Sequence, residues 1–259
     1  MAENNDNWEP TEKRFVAFFD ILGFRDRVMR DSHKQIYKDL KAIQVNEETL
    51  YDILDKQSVK NLFGDSKILI VKFSDSAVLF SKNATIENFI LFLISARFLF
   101  SSFLKKNFLI KGAMAYGDIS VDEERQLYFG QPIIDSYLLE EDVNYIGVVA
   151  HNSIDKFKQN IDSTDKFYSL LNQLLYEGKS HLKSGHITHL NLNWFRQLLD
   201  NENLKVKEKN VIKNDIIVGL KKYYLNVAGS PRRYIDNTIE FLNENDAQIN
   251  FDGLVIPSN

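Results

Sequence analysis

The sequence predicts an α+β fold of the ferredoxin-like, split βαβ type, with a mostly antiparallel sheet packed against helices. Between residues 14 and 151, apolar runs of strand length and segments of helical periodicity follow the order β-α-β-β-α-β, which defines this arrangement. A short polar turn separates the two central strands, which indicates a hairpin. A mainly helical extension is predicted after the core.

The chain length and composition fit one domain with an appendage. The 259 residues are 44% hydrophobic, which is enough for one core and too little for two full-sized ones. We expect a disordered N-terminus at 1–13, because this stretch is polar and acidic. The core is predicted at 14–151, and residues 152–259 are predicted to be a mainly helical extension of the same domain.

The first half of the core carries two acidic residues at strand ends. A run of strand length, Arg14 to Ile21, is apolar and aromatic except for Asp20. Helical periodicity then follows over residues 24–54. The hairpin strands at 67–73 and 77–80 flank Asp75 in their turn, so the split βαβ order places the two carboxylates side by side.

The second half of the core continues the pattern. A helix is predicted at 86–105, strands at 108–116, 127–129 and 145–150, and a helix at 133–141. The stretch from Phe89 to Leu104 is the most apolar in the chain, but it includes three serines and an arginine. We therefore interpret it as a buried core helix and expect no membrane insertion.

Composition excludes several classes of function. The formal net charge of -4 gives no electrostatic reason to expect a nucleic-acid partner. The absence of cysteine excludes disulfides, thiolate zinc sites and cysteine nucleophiles. The N-terminal residues lack the pattern of a signal or transit peptide, so a cytoplasmic location is expected.

Asp20 and Asp75 are the candidate metal ligands. A carboxylate within an apolar strand is costly to bury unless a cation or several donors satisfy it. Asp20 could instead cap the next helix, and Asp75 could be an ordinary turn residue. Together they could hold two divalent cations, and their hard oxygen atoms suit Mg²⁺ or Mn²⁺.

Residues near these carboxylates could bind phosphate. The backbone N–H groups of Ile21 to Arg25 lie where a helix begins, and Gly23 permits close approach. Lys111, Lys72 and the Arg232–Arg233 pair are candidate cations for a phosphate, and the alternative for each is a solvated surface charge.

Three histidines lie close together in the sequence, at positions 181, 186 and 189. Their spacings of five and three fit no strong zinc pattern, and no thiolate or acidic partner accompanies them. We therefore interpret them as ordinary fold residues in preference to a metal site.

Four motifs in the core resemble those of class III nucleotidyl cyclases. The segment Phe19 to Phe24 resembles the first metal motif, and Phe73 to Ser76 resembles the second, with serine where many members have glycine. Lys111 to Gly117 resembles the next core strand, and Tyr128 to Gly130 resembles the segment before the dimer-interface helix. The variants are similar to those of the bacterial anti-phage pyrimidine cyclases of Pycsar systems.

This resemblance implies an enzyme that cyclises a nucleoside triphosphate with two metal ions per active site. Asp20, Asp75 and the carbonyl of Ile21 would ligate the metals, whereas Lys111 is a candidate catalytic cation that the residues themselves offer and the resemblance does not assign. The implied nucleotide-binding residues are Ile21, Leu22, Gly23, Phe24 and Ser76. The enzyme would be a homodimer with composite sites, UTP or CTP would be its substrate, and cyclic UMP or cyclic CMP would activate a downstream effector.

The chain departs from the purine-specific members at two positions. Those members carry an asparagine and, four residues later, an arginine in the helix after the Phe-Gly pair. Counting from Gly130, these positions fall on Ile134 and Leu138, which cannot donate a hydrogen bond to a phosphate. An adenylate or guanylate cyclase is therefore disfavoured.

Two other functions stay open at this point. A catalytically inactive, nucleotide-binding sensor would explain the missing donors, although it would retain a carboxylate pair whose mutual repulsion costs stability. A palm-type polymerase or a diguanylate cyclase would share the fold and the metal pair. The polymerase would require a basic groove, and the diguanylate cyclase would carry two glycines before the acidic turn.

Overall fold

The structure is a computed structural model that describes residues 8–43, 54–64, 66–196, 198–199, 219–221, 223–224 and 228–245. The first strand begins at Thr11. Residues 11–13 therefore belong to the sheet, and the prediction of disorder is wrong for these three residues. Residues 1–7 lie outside the described part of the chain. So do residues 44–53, which belong to the predicted helical segment at 24–54.

The order of elements follows the predicted pattern through the core. The strands are β1 (Thr11–Ile21), β2 (Ile68–Phe73), β3 (Ser76–Ser81), β4 (Ile110–Asp122), β5 (Leu127–Phe129), β6 (Val148–Ala150), β7 (Leu175–Leu182) and β8 (Gly185–Leu192). The helices are α1 (Phe24–Arg30), α2 (His33–Ala42), α3 (Lys56–Phe63), α4 (Ile86–Lys105), α5 (Gln131–Asp142), α6 (Asn152–Gln159), α7 (Tyr168–Leu174) and α8 (Ser230–Glu244).

The sheet confirms the split βαβ prediction. Its strand order is β2-β3-β1-β4-β6-β8-β7, with β5 paired to β4. Among these neighbours only β4 and β6 are parallel, so the sheet is mostly antiparallel. The first four strands in this order give the arrangement expected for a β-α-β-β-α-β run.

The two faces of the sheet have different coverings. Along β1, Phe15, Ala17 and Phe19 lie in the main hydrophobic core, which includes most of α4. The alternate residue Val16 belongs to a smaller cluster on the other face, and α5 packs on that face through contacts with β4 and β1. Side chains alternate along a strand, so Asp20 lies on the same face of the sheet as Val16.

Helix α4 confirms the prediction of a buried core helix. In the part of the chain that the structure describes, it alone is long and apolar enough to cross a membrane. However, 78% of its apolar window is buried inside the protein. Thr85 caps its first turn by accepting a hydrogen bond from the backbone N–H of Asn88.

The C-terminal extension contains more strand than predicted. Helix α7 ends at Leu174, where the chain turns into β7, so this part of the extension is strand and not helix as predicted. Strands β7 and β8 form a hairpin that joins the same sheet through a single bridge between Val149 and Asn191. The extension is therefore built partly on the core sheet, with helix α8 packed against β7.

Candidate active site

The fold brings Asp20 and Asp75 together as predicted. Asp20 is directly opposite Ser76 in the pairing of β1 with β3, and Asp75 is the residue before Ser76 in the hairpin turn. The backbone N–H of Ile21 donates a hydrogen bond of 2.9 Å to the carbonyl of Asp75. The ends of the two strands are thus fixed to each other, with one carboxylate on each.

Asp20 is held in an environment that opposes its ionisation. Burial raises the pKa of its carboxyl above the usual range, the charge of Asp75 raises the pKa further, and Lys111 lowers it. A cation between the two carboxylates would relieve both unfavourable effects. The acidic residues and the carbonyl of Ile21 also offer only hard oxygen ligands, which suits Mg²⁺ or Mn²⁺.

Ser74 gives the hairpin turn a left-handed backbone. Its φ is 55°, a conformation that costs an L-residue roughly 1–2 kcal/mol relative to glycine. Phe73 and Ser76 are paired, so Ser74 and Asp75 form a two-residue turn, for which positive φ at the first position is typical.

We expect Ser74→Gly to stabilise the protein by roughly 0.5–1 kcal/mol, because glycine removes the left-handed strain but adds entropy to the unfolded chain. Urea denaturation at equilibrium measures the change. Ser74→Ala is the matched control, since alanine keeps the strain and should give no stabilisation. Equal midpoints for the glycine and alanine variants would contradict the assigned turn geometry.

The predicted phosphate-binding loop offers fewer available backbone N–H groups in the structure than the sequence predicts. The N–H groups of Ile21 and Leu22 are occupied, because they donate to the carbonyls of Asp75 and Leu109. Gly23 has a φ of 68° and precedes the first residue of α1. The first-turn N–H groups of a helix have no intrahelical acceptors, so the available donors begin at Gly23 and include Phe24.

Lys111 is buried and engaged, not directed at open solvent. It lies opposite Asp20 in the pairing of β1 with β4 and is 5% exposed. Its Nζ forms an ion pair of 2.9 Å with Oε1 of Glu140 and donates a hydrogen bond of 2.7 Å to the Glu140 carbonyl. Its direct role is therefore to bind the C-terminal end of α5 to the sheet beside Asp20.

Sequence reasoning missed Glu140. This residue is 3% exposed, and burial raises the pKa of its carboxyl to about 7 even though Lys111 lowers it. Its sequence signal is weak, because Glu140 precedes Glu141 and Asp142 at a helix end and so resembles a solvated acidic run. The buried stripe of α5, formed by Pro132, Ser136 and Glu140, could have indicated it.

Two of the other predicted cations, Lys72 and Arg232, also have partners. Lys72 donates from Nζ to the carbonyls of Leu40 and Ile43, at 3.2 and 2.5 Å. The guanidinium of Arg232 lies 3.6 Å from the centroid of the Tyr224 ring. Arg232 and Arg233 belong to the first turn of α8, whose Tyr234 ring lies 5.9 Å from Nζ of Lys111.

A cavity of about 410 Å³ adjoins the loop after β1. Its lining includes Leu22, Gly23, Asn107, Tyr223, Pro231 and Tyr234. The volume is within the range of small-molecule sites. Tyr234 lies between the cavity and Lys111, because it lines the cavity and its ring centroid is 5.9 Å from Nζ of Lys111.

The two positions that depart from purine cyclases lie on the exposed side of α5. Ile134 is 51% exposed and Leu138 is 57% exposed. Both side chains are apolar and point away from the sheet.

Comparisons with known proteins found structural neighbours only. No protein-family model and no curated protein matches the chain. The catalytic core of a rhodopsin–guanylyl cyclase with converted specificity, solved with ATPαS, has 14% identity and a TM-score of 0.45, covering 70% of this chain and 94% of that one. Two structures of a bacterial light-regulated adenylyl cyclase have 11% identity and TM-scores of 0.39 and 0.40, covering 73% of this chain. This chain spans 54% of their length.

Proposed function

We propose that this protein is a nucleotidyl cyclase that converts a nucleoside triphosphate into its 3′,5′-cyclic nucleotide and pyrophosphate. The observation that carries the proposal is the pair of carboxylates, Asp20 and Asp75, on adjacent strand ends that are tied by a backbone hydrogen bond. Burial and the charge of Asp75 raise the pKa of Asp20, and perturbed carboxyl groups of this kind are concentrated at functional sites.

Asp20, Asp75 and the carbonyl of Ile21 would hold two Mg²⁺ or Mn²⁺ ions. When bound, these ions would lower the pKa of the ribose 3′-oxygen and neutralise the charge of the leaving pyrophosphate. The donor set fits this role, because all the offered atoms are hard oxygens and one carboxylate is destabilised by its neighbour's charge.

The protein's own residues would position the substrate. The N–H groups that begin at Gly23 would bind phosphate oxygens, and the hydroxyl of Ser76 lies opposite Asp20 on the same face. Arg232 and Arg233 are suitable phosphate partners, since they directly precede Tyr234 at the edge of the site. Catalysis would come mainly from orientation and charge neutralisation, with in-line attack of the 3′-oxygen on the α-phosphate.

The cavity beside the loop would take the nucleoside. Its aromatic side chains, Tyr223 and Tyr234, can stack on a base, and Asn107 offers amide hydrogen-bonding groups. We propose a pyrimidine base, because Ile134 and Leu138 replace the purine-specific pair and because the motifs are similar to those of Pycsar cyclases. Cyclic UMP or cyclic CMP would then act in the cytoplasm as a second messenger that activates an anti-phage effector.

The proposed active form is a homodimer. Several large apolar side chains are exposed on α5, β5 and the β2–β3 hairpin: Phe73, Leu127, Phe129, Ile134, Tyr137 and Leu138. Phe73 is 82% exposed and is paired with Ser76, which places it on the sheet face of Asp20. Burial of these groups against a second copy would complete the active site from both chains.

Turnover with purified protein and Mn²⁺ tests this proposal, with ATP, GTP, CTP and UTP offered separately and the products identified by mass. We expect cyclic UMP or cyclic CMP and an equal amount of pyrophosphate. Cyclic AMP or cyclic GMP would keep the chemistry but contradict the pyrimidine assignment. A linear oligonucleotide would favour the polymerase alternative, and tight nucleotide binding without any product would favour the inactive sensor.

A further inference from the structure

A histidine pair lies at the tip of the β7–β8 hairpin, at the opposite end of the sheet order from the β2–β3 hairpin. His181 and His186 are direct partners in the pairing of the two strands, on either side of the turn at Lys183 and Ser184. Directly paired side chains share one face of the sheet. The two imidazole rings have centroids 4.2 Å apart.

Helix α8 adds a carboxylate to this pair. One ligand atom from each of His181, His186 and Glu240 lies within 4.8 Å of the other two. Ligand atoms around a tetrahedral zinc ion at about 2.0–2.1 Å are separated by about 3.3–3.5 Å, so a small closing movement would complete the geometry. His186 and Glu240 are both exposed, which leaves their side chains free to make that movement.

His181 provides an independent sign that a ligand is missing. It is 1% exposed, and neither of its ring nitrogens has a hydrogen-bond partner in the structure. Buried polar atoms are nearly always satisfied, so two unsatisfied nitrogens on one buried ring require an explanation.

We propose that His181, His186 and Glu240 form a binding site for a zinc-class divalent transition metal that joins the β7–β8 hairpin to helix α8. Two imidazoles and a carboxylate suit Zn²⁺ and do not suit Mg²⁺, so this site differs in chemistry from the pair of aspartates. A water molecule would complete the tetrahedron.

The metal would fix the position of α8. This helix is already held to the core by Thr238, whose hydroxyl accepts from the N–H of Ile146, and by Asn237, whose amide donates to the carbonyl of Asn144. Its first turn carries Tyr234 at the edge of the active site. A metal near Glu240 would therefore stabilise the wall of the nucleotide cavity without touching the substrate.

Binding of Zn²⁺ and Co²⁺ to the full, untagged chain tests the proposal, with excess Mg²⁺ present to occupy hard oxygen sites. Calorimetry gives the stoichiometry for Zn²⁺, and the visible absorption of Co²⁺ reports a tetrahedral nitrogen and oxygen site. We expect one ion per chain, an increase in the melting temperature, and a loss of affinity of at least about tenfold in His186→Asn and in Glu240→Gln.

His189→Asn is the matched control, because His189 lies on the same strand but three residues from His186 and so on the other face. It should bind Zn²⁺ as the natural chain does, and so should Asp75→Asn, which separates this result from the proposed cyclase site. Absence of binding by the natural chain, or affinity unchanged in His186→Asn or Glu240→Gln, would overturn the proposal.

Discussion

Asp75→Asn should reduce cyclase turnover by at least about 100-fold while leaving the fold intact. Loss of groups that merely support metal ligands typically costs 10–100-fold, and Asp75 would be a ligand itself. Its structural contact uses the main-chain carbonyl, which accepts from the N–H of Ile21, so an asparagine retains that contact. Product formation is measured by mass with Mn²⁺ and the preferred triphosphate.

Asp20→Asn should show the same loss of turnover. Because ionisation of Asp20 is opposed by burial and by Asp75, this variant should also be at least as stable as the natural chain without metal. Asp118→Asn is the matched control, since Asp118 is an exposed carboxylate on β4. Turnover above half of the natural rate in Asp75→Asn or Asp20→Asn, with Asp118→Asn unaffected, would contradict the assigned roles.

Lys111→Met should lower the free energy of unfolding by about 3 kcal/mol at pH 8, because it leaves the carboxylate of Glu140 buried without its partner. The pKa of Glu140 is already about 7 in the presence of Lys111 and should rise further without it. A carboxyl whose folded pKa is raised destabilises the fold increasingly as the pH rises towards that pKa. The cost should therefore grow with pH above about 7 and shrink at pH 5.

Glu140→Gln tests the contribution of the other partner of the ion pair. Lys111 keeps its hydrogen bond to the Glu140 carbonyl at the C-terminal end of α5, where a cation is favourable, so this variant should lose less than about 1 kcal/mol at pH 8. The double variant Lys111→Met with Glu140→Gln should recover most of the loss. Urea unfolding at pH 5 and pH 8 measures all four chains, and a pH-independent loss in Lys111→Met would contradict the assigned pair.

The proximity of the two carboxylates, Asp20 and Asp75, could be predicted from the sequence because it depends on the order of the strands alone. A β-α-β-β-α-β run fixes which strands are neighbours, so an acidic residue at the end of β1 and another in the next hairpin must meet. The loop after β1 was predicted only approximately. Which of its N–H groups are occupied depends on the positions of Asp75 and Leu109, which sequence order does not specify.

The rest of the site depends on tertiary packing that leaves little trace in the sequence. Glu140 is buried only because α5 lies across β4 and β1, and Tyr234 reaches the site only through the placement of α8. The histidines show the same limit. The sequence near His181 and His186 offers no acidic partner, whereas the fold supplies Glu240 from a helix far along the chain.

Anomalous diffraction from crystals grown with Mn²⁺ and a 3′-deoxynucleoside triphosphate, which cannot cyclise, tests the central claim most directly. We expect two manganese peaks per active site, both within coordination distance of the carboxylates of Asp20 and Asp75, with the triphosphate next to Gly23. Bound nucleotide with no manganese at these two carboxylates would contradict the assignment of a two-metal cyclase.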